Sequence, residues 1–301
     1  MEDVTDAAFR RVIVAHSKPS VCFTEFASAD GLVLAPEDGK QRLLKKLIYS
    51  EEERPIVAQL FSAVPERMEA AAHLVAELGF DGVDINMGCP VDAVTSTGCG
   101  AALIKNPVLA RELIRAAQKS RLPVSVKTRI GYNTDELDTW LPELLAEEPA
   151  AITVHARTRK EMSKVPANWD AIARAVHLRD MHQGVTLMHT LILGNGDATD
   201  LADARNKVKE SGCDGAMFGR ALYGNPWLFA EHVPSKDEKM AALIEHIRFF
   251  EELLGTSSNF ALMKKHFKAY ISGWDGAKAL REQLMHTETP AGAIAILEGE
   301  E

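Results

Sequence analysis

Gly82-Val83-Asp84-Ile85-Asn86-Met87 is a short, mostly apolar run, and forty residues on Val124-Ser125-Val126-Lys127-Thr128-Arg129 is another. Between them Pro107 opens a helical pattern over 107–120 that repeats Leu109, Leu113 and Ala117 on one stripe. Strand, helix, strand in this order predicts a parallel pair joined by a right-handed crossover. The same rhythm extends both ways. Further strand candidates lie at 21–26, 55–60, 151–156, 191–195 and 215–219, each short and bounded by polar, Gly or Pro signals. A second helical stripe, Met68, Ala71, Ala72, Val75 and Leu78, occupies 65–78.

Seven strands are read where a TIM-type (β/α)8 barrel needs eight. The chain opens on a polar loop, Glu2-Asp3-Val4-Thr5-Asp6, and an amphipathic helix follows from Ala7. That is what should follow a first strand, so the expected fold is an α/β barrel whose first strand is missing from this sequence. After Pro234 the strand signal stops. Helical patterns at 237–254, 259–272 and 274–286 and a last apolar stretch at 291–297 predict a small all-helical domain. The expected division is 1–234 for the barrel and 235–301 for the helices.

Composition narrows the function classes. With 46% hydrophobic and 26% charged residues in 301, the chain reads as globular, with no run long enough to span a bilayer. Its N-terminus is acidic and unlike a signal peptide. Cys22, Cys89, Cys99 and Cys213 show no paired metal spacing and suit a reducing compartment, so a cytoplasmic monomer without a metal or a membrane partner is expected. A net charge of −9 argues against indiscriminate binding to nucleic acid. Two stretches run against it: Arg157, Arg159, Lys160 and Lys164, and then Lys264, Lys265, His266 and Lys268. Solvated surface is the bland account of both.

Active sites of such barrels sit at the C-terminal ends of the strands. Those ends carry Gln59, Asn86 and Cys89, Lys127 and Arg129, His155 and Arg157, Asn195-Gly196-Asp197, and Gly219-Arg220. Fold maintenance gives no reason for polar groups to gather there. A lone cysteine is more often a small buried hydrophobe than a catalyst, but Cys89 stands just past a strand, between Gly88 and Pro90. Lys127 ends an apolar strand and needs an anionic or electron-rich partner. His155 by itself is equally well a strand cap. The glycine turns at Gly194-Asn195-Gly196-Asp197 and at Gly219-Arg220 follow the last two strands, where barrels commonly bind phosphate. Together these residues suggest a phosphorylated cofactor across the barrel mouth.

These blocks resemble a known family. Asp84-Ile85-Asn86-Met87-Gly88-Cys89-Pro90 with Gly98-Cys99-Gly100-Ala101-Ala102-Leu103 is similar to the signature of tRNA-dihydrouridine synthases. Val126-Lys127-Thr128-Arg129-Ile130-Gly131, Thr153-Val154-His155-Ala156-Arg157-Thr158, Gly194-Asn195-Gly196-Asp197 and the block from Gly219 to Trp227 match the later motifs in order. The likeness runs from Met1, where the family's Ala-Pro-Met block ends, to about Gly276, and it loosens over 182–193. It implies FMN on a TIM barrel, NADPH or NADH as reductant, and a helical domain that helps hold tRNA. By motif, Met1, Gln59, Lys127, His155, Asn195, Gly196, Asp197, Gly219 and Arg220 would hold FMN. Asn86 would face the uracil, Cys89 would donate the proton, and Arg157, Lys264, Lys265 and Lys268 would contact tRNA. The mechanism this implies is hydride addition at C6 of uracil and protonation at C5. A thiol near its ordinary pKa of ~8.5 is mostly protonated at neutral pH and suits the second step.

Two other readings share parts of this pattern. An FMN-dependent pyrimidine reductase acting on a small molecule would need the same cofactor but would leave the basic helical tail unexplained. A non-catalytic RNA-binding barrel would bind no flavin.

Overall fold

The computed structural model describes residues 1, 4–183, 189–255 and 258–299. Glu2 and Asp3 of the predicted opening loop, and residues 184–188 of the stretch before the sixth strand, lie outside the described residues. Seven strands form one sheet in sequential order: β1 (Cys22–Ser28), β2 (Ile56–Phe61), β3 (Gly82–Asn86), β4 (Val124–Arg129), β5 (Ala151–His155), β6 (Leu191–Asn195) and β7 (Gly215–Met217). β2 to β7 pair in parallel, each with the next, and helices or helical turns intervene in the βα rhythm of a TIM-type barrel. The last strand stops two residues short of the expected 219, because Gly219 leaves the extended region at φ −141°, ψ −92°.

Register builds the sheet in layers. Gln59 is level with Asp84, and Asp84 with Ser125; one step on, Asn86 is level with Lys127 and Lys127 with Thr153. A further step puts Arg129 beside His155, and His155 beside Asn195. Side chains two apart on a strand share a face, so all these polar residues lie on one face of the sheet. The alternate positions, Val83, Ile85, Val126, Ile152 and Val154, are apolar and fully buried on the other. The helix Pro65–Glu77 buries Met68, Ala71, Ala72 and Val75 as the stripe predicted. Leu78 does not join them: it is the helix C-cap and 40% exposed. In the helix Pro107–Gln118 the buried side is Ala110, Leu113, Ile114, Ala116 and Ala117, one position round from the expected Leu109.

The chain divides into two compact units. One comprises Phe26–Leu44 and Ile56–Phe218; the other comprises Met1–Glu25, Lys45–Pro55 and Gly219–Glu301. In the second, the helix Ala7–His16 is N-capped by Asp6, which accepts from the Phe9 amide at 2.8 Å. Arg10 of this helix is buried and bonds Glu53 at 2.6 Å. The other side of the helix meets the long helix Lys236–Leu254, which brings the first residues of the chain into the helical core. The predicted helix at 259–272 is a 3-10 turn, Phe260–Met263, leading into Lys264–Tyr270. Phe260, Met263, Phe267 and Ile271 are buried as their spacing requires. His266, grouped with the basic stretch in the sequence, is buried too, because positions 263, 266, 267 and 270 share one helical face.

His266 meets a second buried histidine, His246, with ring centroids 4.7 Å apart. Phe9 and Tyr223 flank His266, and the Tyr270 hydroxyl lies 3.4 Å from Nδ1 of His246. Nε2 of His246 and Nδ1 of His266 have no hydrogen-bond partner. Burial lowers His266 to about 4, and the nearby Lys265 charge adds to this. Burial and His266 hold His246 well below 6.5. Both rings are therefore neutral when folded, whereas the unfolded chain protonates them near 6.5. The pair's contribution to stability is full above pH 6.5 and is lost as pH falls toward about 4, because the unfolded state then binds more protons at these two sites. Urea midpoints measured by tryptophan fluorescence across that window, compared between wild type and His266→Phe, separate this contribution from that of Asp84, which burial raises to about 6 and which acts with the opposite sign. The variant should lose less stability on acidification than wild type, by up to about 1.4 kcal/mol per pH unit.

Candidate active site

The loop after β3 carries Cys89 and is held from several sides. Oδ1 of Asn86 accepts from the Gly88 and Cys89 amides at 3.1 and 2.9 Å. The Met87 amide donates to the Lys127 carbonyl at 2.8 Å, and the Ala101 amide donates to the Cys89 carbonyl at 3.0 Å. Arg129 donates from Nε to the Gly88 carbonyl at 2.7 Å and from Nη1 to the carbonyls of Thr158 and Met162. Gly100, at φ +60°, lets the next turn close over this loop: a Cβ there would stand 2.8 Å from the Cys89 carbonyl oxygen and 3.2 Å from its Cβ. Cys89 is half-buried, whereas Cys22, Cys99 and Cys213 are buried.

Beneath the loop the polar face continues inward. Nδ2 of Asn86 donates to Oε1 of Gln59 at 3.2 Å, and Nε2 of Gln59 donates to Oδ2 of Asp84 at 2.7 Å. Ser125 donates to the other Asp84 oxygen at 2.6 Å. Asp84 is fully buried, and burial raises it to about 6 against the hydrogen bonds from Ser125 and Gln59 and the charge of Lys127. Burial lowers Lys127 to about 8; Arg129 pushes the same way, and Asp84 and Cys89 oppose. Arg129 falls to about 10, chiefly through burial. The Lys127 ammonium makes no hydrogen bond among the described residues. It is thus a crowded cation with donors to spare.

The far side of the same unit gathers His155, Arg157 and Asp197. Nε2 of His155 lies 3.2 Å from Nη1 of Arg157, and Nη2 of Arg157 is ion-paired with Asp197. Arg157 is 3% exposed and also donates to the Val165 carbonyl at 2.6 Å, so it serves the loop around it. Gly196, at φ +126°, turns tightly: a Cβ would meet Ala167 at 2.8 Å and the His155 ring at 3.3 Å. The Asn195 side chain donates to the Met217 carbonyl at 2.8 Å. Gln59, Asn86, Cys89, Lys127, His155, Arg157, Asn195, Gly196 and Asp197 thus belong to one compact unit.

The remaining candidates belong to the other unit. A Cβ on Gly219 would lie 3.8 Å from the Met1 sulfur, and Arg220 opens the short turn Arg220–Leu222 that follows. Lys265 and Lys268 are exposed and Lys264 is half-buried, its Nζ donating to the Met285 carbonyl at 2.8 Å. They line a groove of about 610 Å³ together with Lys278, Arg281 and His286, and Glu282 is its one acidic wall residue. Lys278, Arg281 and His286 carry no signal in the sequence until the helix Ala277–His286 is laid beside Lys264–Tyr270.

Asp84 and Ser125 escaped the strand-end search because they stand one layer deeper. The signal for Asp84 was present: a charged residue two positions before Asn86, inside an otherwise apolar strand, must share its face. Among the described residues no helix is long and apolar enough to cross a membrane, and no group of three or more His, Cys, Asp or Glu could hold a metal ion.

Fold and site define a parallel α/β-barrel protein with a cysteine-bearing loop and buried ionisable groups at one end of its strands. The family model described as dihydrouridine synthase (Dus) matches residues 1–300. The probable tRNA-dihydrouridine synthase 2 of Bacillus subtilis (strain 168) is 38% identical over 304 residues, covering 99% of this chain and 91% of that protein. The probable tRNA-dihydrouridine synthase of Staphylococcus aureus (strain COL) is also 38% identical, covering 99% and 90%. The chain belongs to the dihydrouridine synthase family. Among solved structures, a variant of NCR from Zymomonas mobilis is similar with a TM-score of 0.51 at 15% identity, covering 97% of this chain and 88% of that one. Histamine dehydrogenase from Rhizobium sp. 4-9 has a TM-score of 0.54 at 12% identity, covering 81% and 46%. At those identities the likeness concerns the fold alone.

Asp197 ties two segments together, since Oδ2 accepts from both Arg157 and the Ala167 amide. Asp197→Ala leaves the buried Arg157 guanidinium without its carboxylate and should cost about 2–3 kcal/mol of stability. Hydrogen exchange at the Ala167 amide should accelerate in the variant, and chemical denaturation gives the energy.

Proposed function

We propose that this protein is a tRNA-dihydrouridine synthase that reduces the C5–C6 double bond of uridine in tRNA, with FMN as cofactor and NADPH, or NADH, as reductant. Membership of the family supports the reaction. The observation that carries the assignment of the site is the Cys89 loop, anchored by Asn86 and Arg129 beside the spare donors of Lys127.

The residues present suit a flavin phosphate and ring. Lys127 offers a cation that makes no hydrogen bond among the described residues, and Gly196 lets the turn at 195–197 close against Ala167 and the His155 ring. Lys127, Gln59 and His155 would face the ring, and Asn195, Gly196 and Asp197 would hold the phosphate arm; Gly219, Arg220 and Met1 are FMN candidates by their likeness to the family's motifs. When bound, FMN supplies a hydride to C6 of the uracil. Lys127 stabilises negative charge at its ammonium, mostly protonated below about 8. The target uridine leaves its stack to reach the site. Asn86 orients the base, and the Cys89 thiol donates its proton to C5; the thiolate is then reprotonated from solvent.

RNA contacts fall to the cations that line the groove of the helical unit. Lys264, Lys265 and Lys268 with Lys278, Arg281 and His286 make a basic groove suited to a phosphate track. Arg157 is buried, and its part in binding RNA is to order the loop that carries Lys160 and Lys164.

Cys89→Ala should retain flavin and its reduction by NADPH yet lose most dihydrouridine formation, read by mass spectrometry of tRNA. Near-normal yield would remove Cys89 from the chemistry. Replacing Lys264, Lys265 and Lys268 with alanine should weaken tRNA binding and flatten its salt dependence by roughly one unit of log–log slope per lost phosphate contact. Flavin content should not change. An unaltered slope would make the cluster ordinary surface.

A further inference from the structure

The Cys89 loop hangs on a chain of hydrogen bonds whose two ends differ in kind. At the outer end are two backbone N–H groups, of Gly88 and Cys89, which only donate. At the inner end is the carboxylate of Asp84, which when ionised only accepts. Two amide side chains, Asn86 and Gln59, bridge them. Each amide has one accepting and one donating end, so a single arrangement satisfies every link. Gln59 must turn its NH2 to Asp84 and its oxygen outward; Asn86 must then give its NH2 to Gln59 and its oxygen to the loop. Reversing either amide sets two donors or two acceptors against each other inside the sheet.

We propose that Asp84 is a positioning residue: through Gln59 and Asn86 it dictates the polarity of this chain and so holds the Cys89 thiol where it meets the uracil. Asp84 touches neither loop nor base. It is held in its turn by Ser125 from the neighbouring strand, level with it in register, and no water-exposed surface competes for its oxygens. Ionisation of Asp84 is favoured by the same hydrogen bonds and by Lys127, which offset burial sufficiently to leave it at about 6. The proposal rests on Cys89 acting as the proton donor only for its consequence in turnover; the placement of the thiol is testable without it.

The test uses the flavin-loaded protein and two variants of nearly the same volume. Asp84→Asn keeps every link: its side-chain oxygen accepts from Gln59, and its NH2 donates to the Ser125 hydroxyl, which turns to accept. Asp84→Leu removes the acceptor and leaves the Gln59 amide free to turn over. Iodoacetamide alkylation of the Cys89 peptide, followed by mass spectrometry at fixed pH, reports thiol placement. Single-turnover formation of dihydrouridine in tRNA reports its consequence. For Asp84→Leu we expect an alkylation rate changed severalfold and single turnover slowed about tenfold or more, with tRNA affinity unchanged. Asp84→Asn should stay within about threefold of wild type in both. Should Asp84→Leu fail to fold, Asp84→Ala is read in the same two assays. An Asp84→Asn protein no better than Asp84→Leu, or an Asp84→Leu protein indistinguishable from wild type in alkylation, overturns the proposal. Failure of the functional reading looks different: Cys89→Ala would keep full dihydrouridine yield while the alkylation pattern of the Asp84 variants stood.

Discussion

Parallel register with a two-residue side-chain period is the constraint on which the site depends. A slip of one residue in any strand would exchange its polar and apolar faces. Because β2, β3, β4, β5 and β6 are each paired with the next in a defined register, Gln59, Asp84 and Ser125 fall on one level, Asn86 and Lys127 on the next, and Arg129, His155 and Asn195 on the one above. The apolar alternates, such as Ile85, Val126 and Val154, are fully buried and hold the register. The chemistry on one face is therefore guaranteed by the packing on the other.

Within that frame the charges are mutually dependent. Asp84 and Lys127 lie close enough that each is moved by the other, and both are displaced most by loss of solvent. Arg129 spends its hydrogen bonds on three backbone carbonyls from two loops, which fixes Cys89 relative to the segment 158–162. On the opposite side Arg157 and Asp197 do the same for the turn at Gly196. Buried guanidinium groups here serve as anchors for loops. That follows from their chemistry: five donors in a fixed plane satisfy several carbonyls at once.

The helical unit contains a different sort of buried polar group. His246 and His266 sit among aromatic rings with one nitrogen each unsatisfied, an arrangement that tolerates only the neutral form. On the next face of the same helix the lysines point outward. The helix Lys264–Tyr270 therefore separates an apolar, charge-excluding side from a basic one within seven residues.

The sequence by itself determined the strand–helix order, the polar strand ends and the family, because these depend on local periodicity and on motifs contiguous in the chain. Asn86, Cys89, Lys127 and His155 could be read from their place after apolar runs. Four things were decided only by the tertiary structure. Asp84 gained a partner in Gln59 and in Ser125 because strands far apart in sequence share a register. Arg157, read as a surface cation, became an internal anchor because Asp197 folds back to it from forty residues away. His266, read as part of a basic stretch, went into the core because its helical face is set by what packs against it. The basic groove acquired Lys278, Arg281 and His286 from a second helix. Each is a relation between distant segments, and a local pattern holds no information on which distant groups will meet.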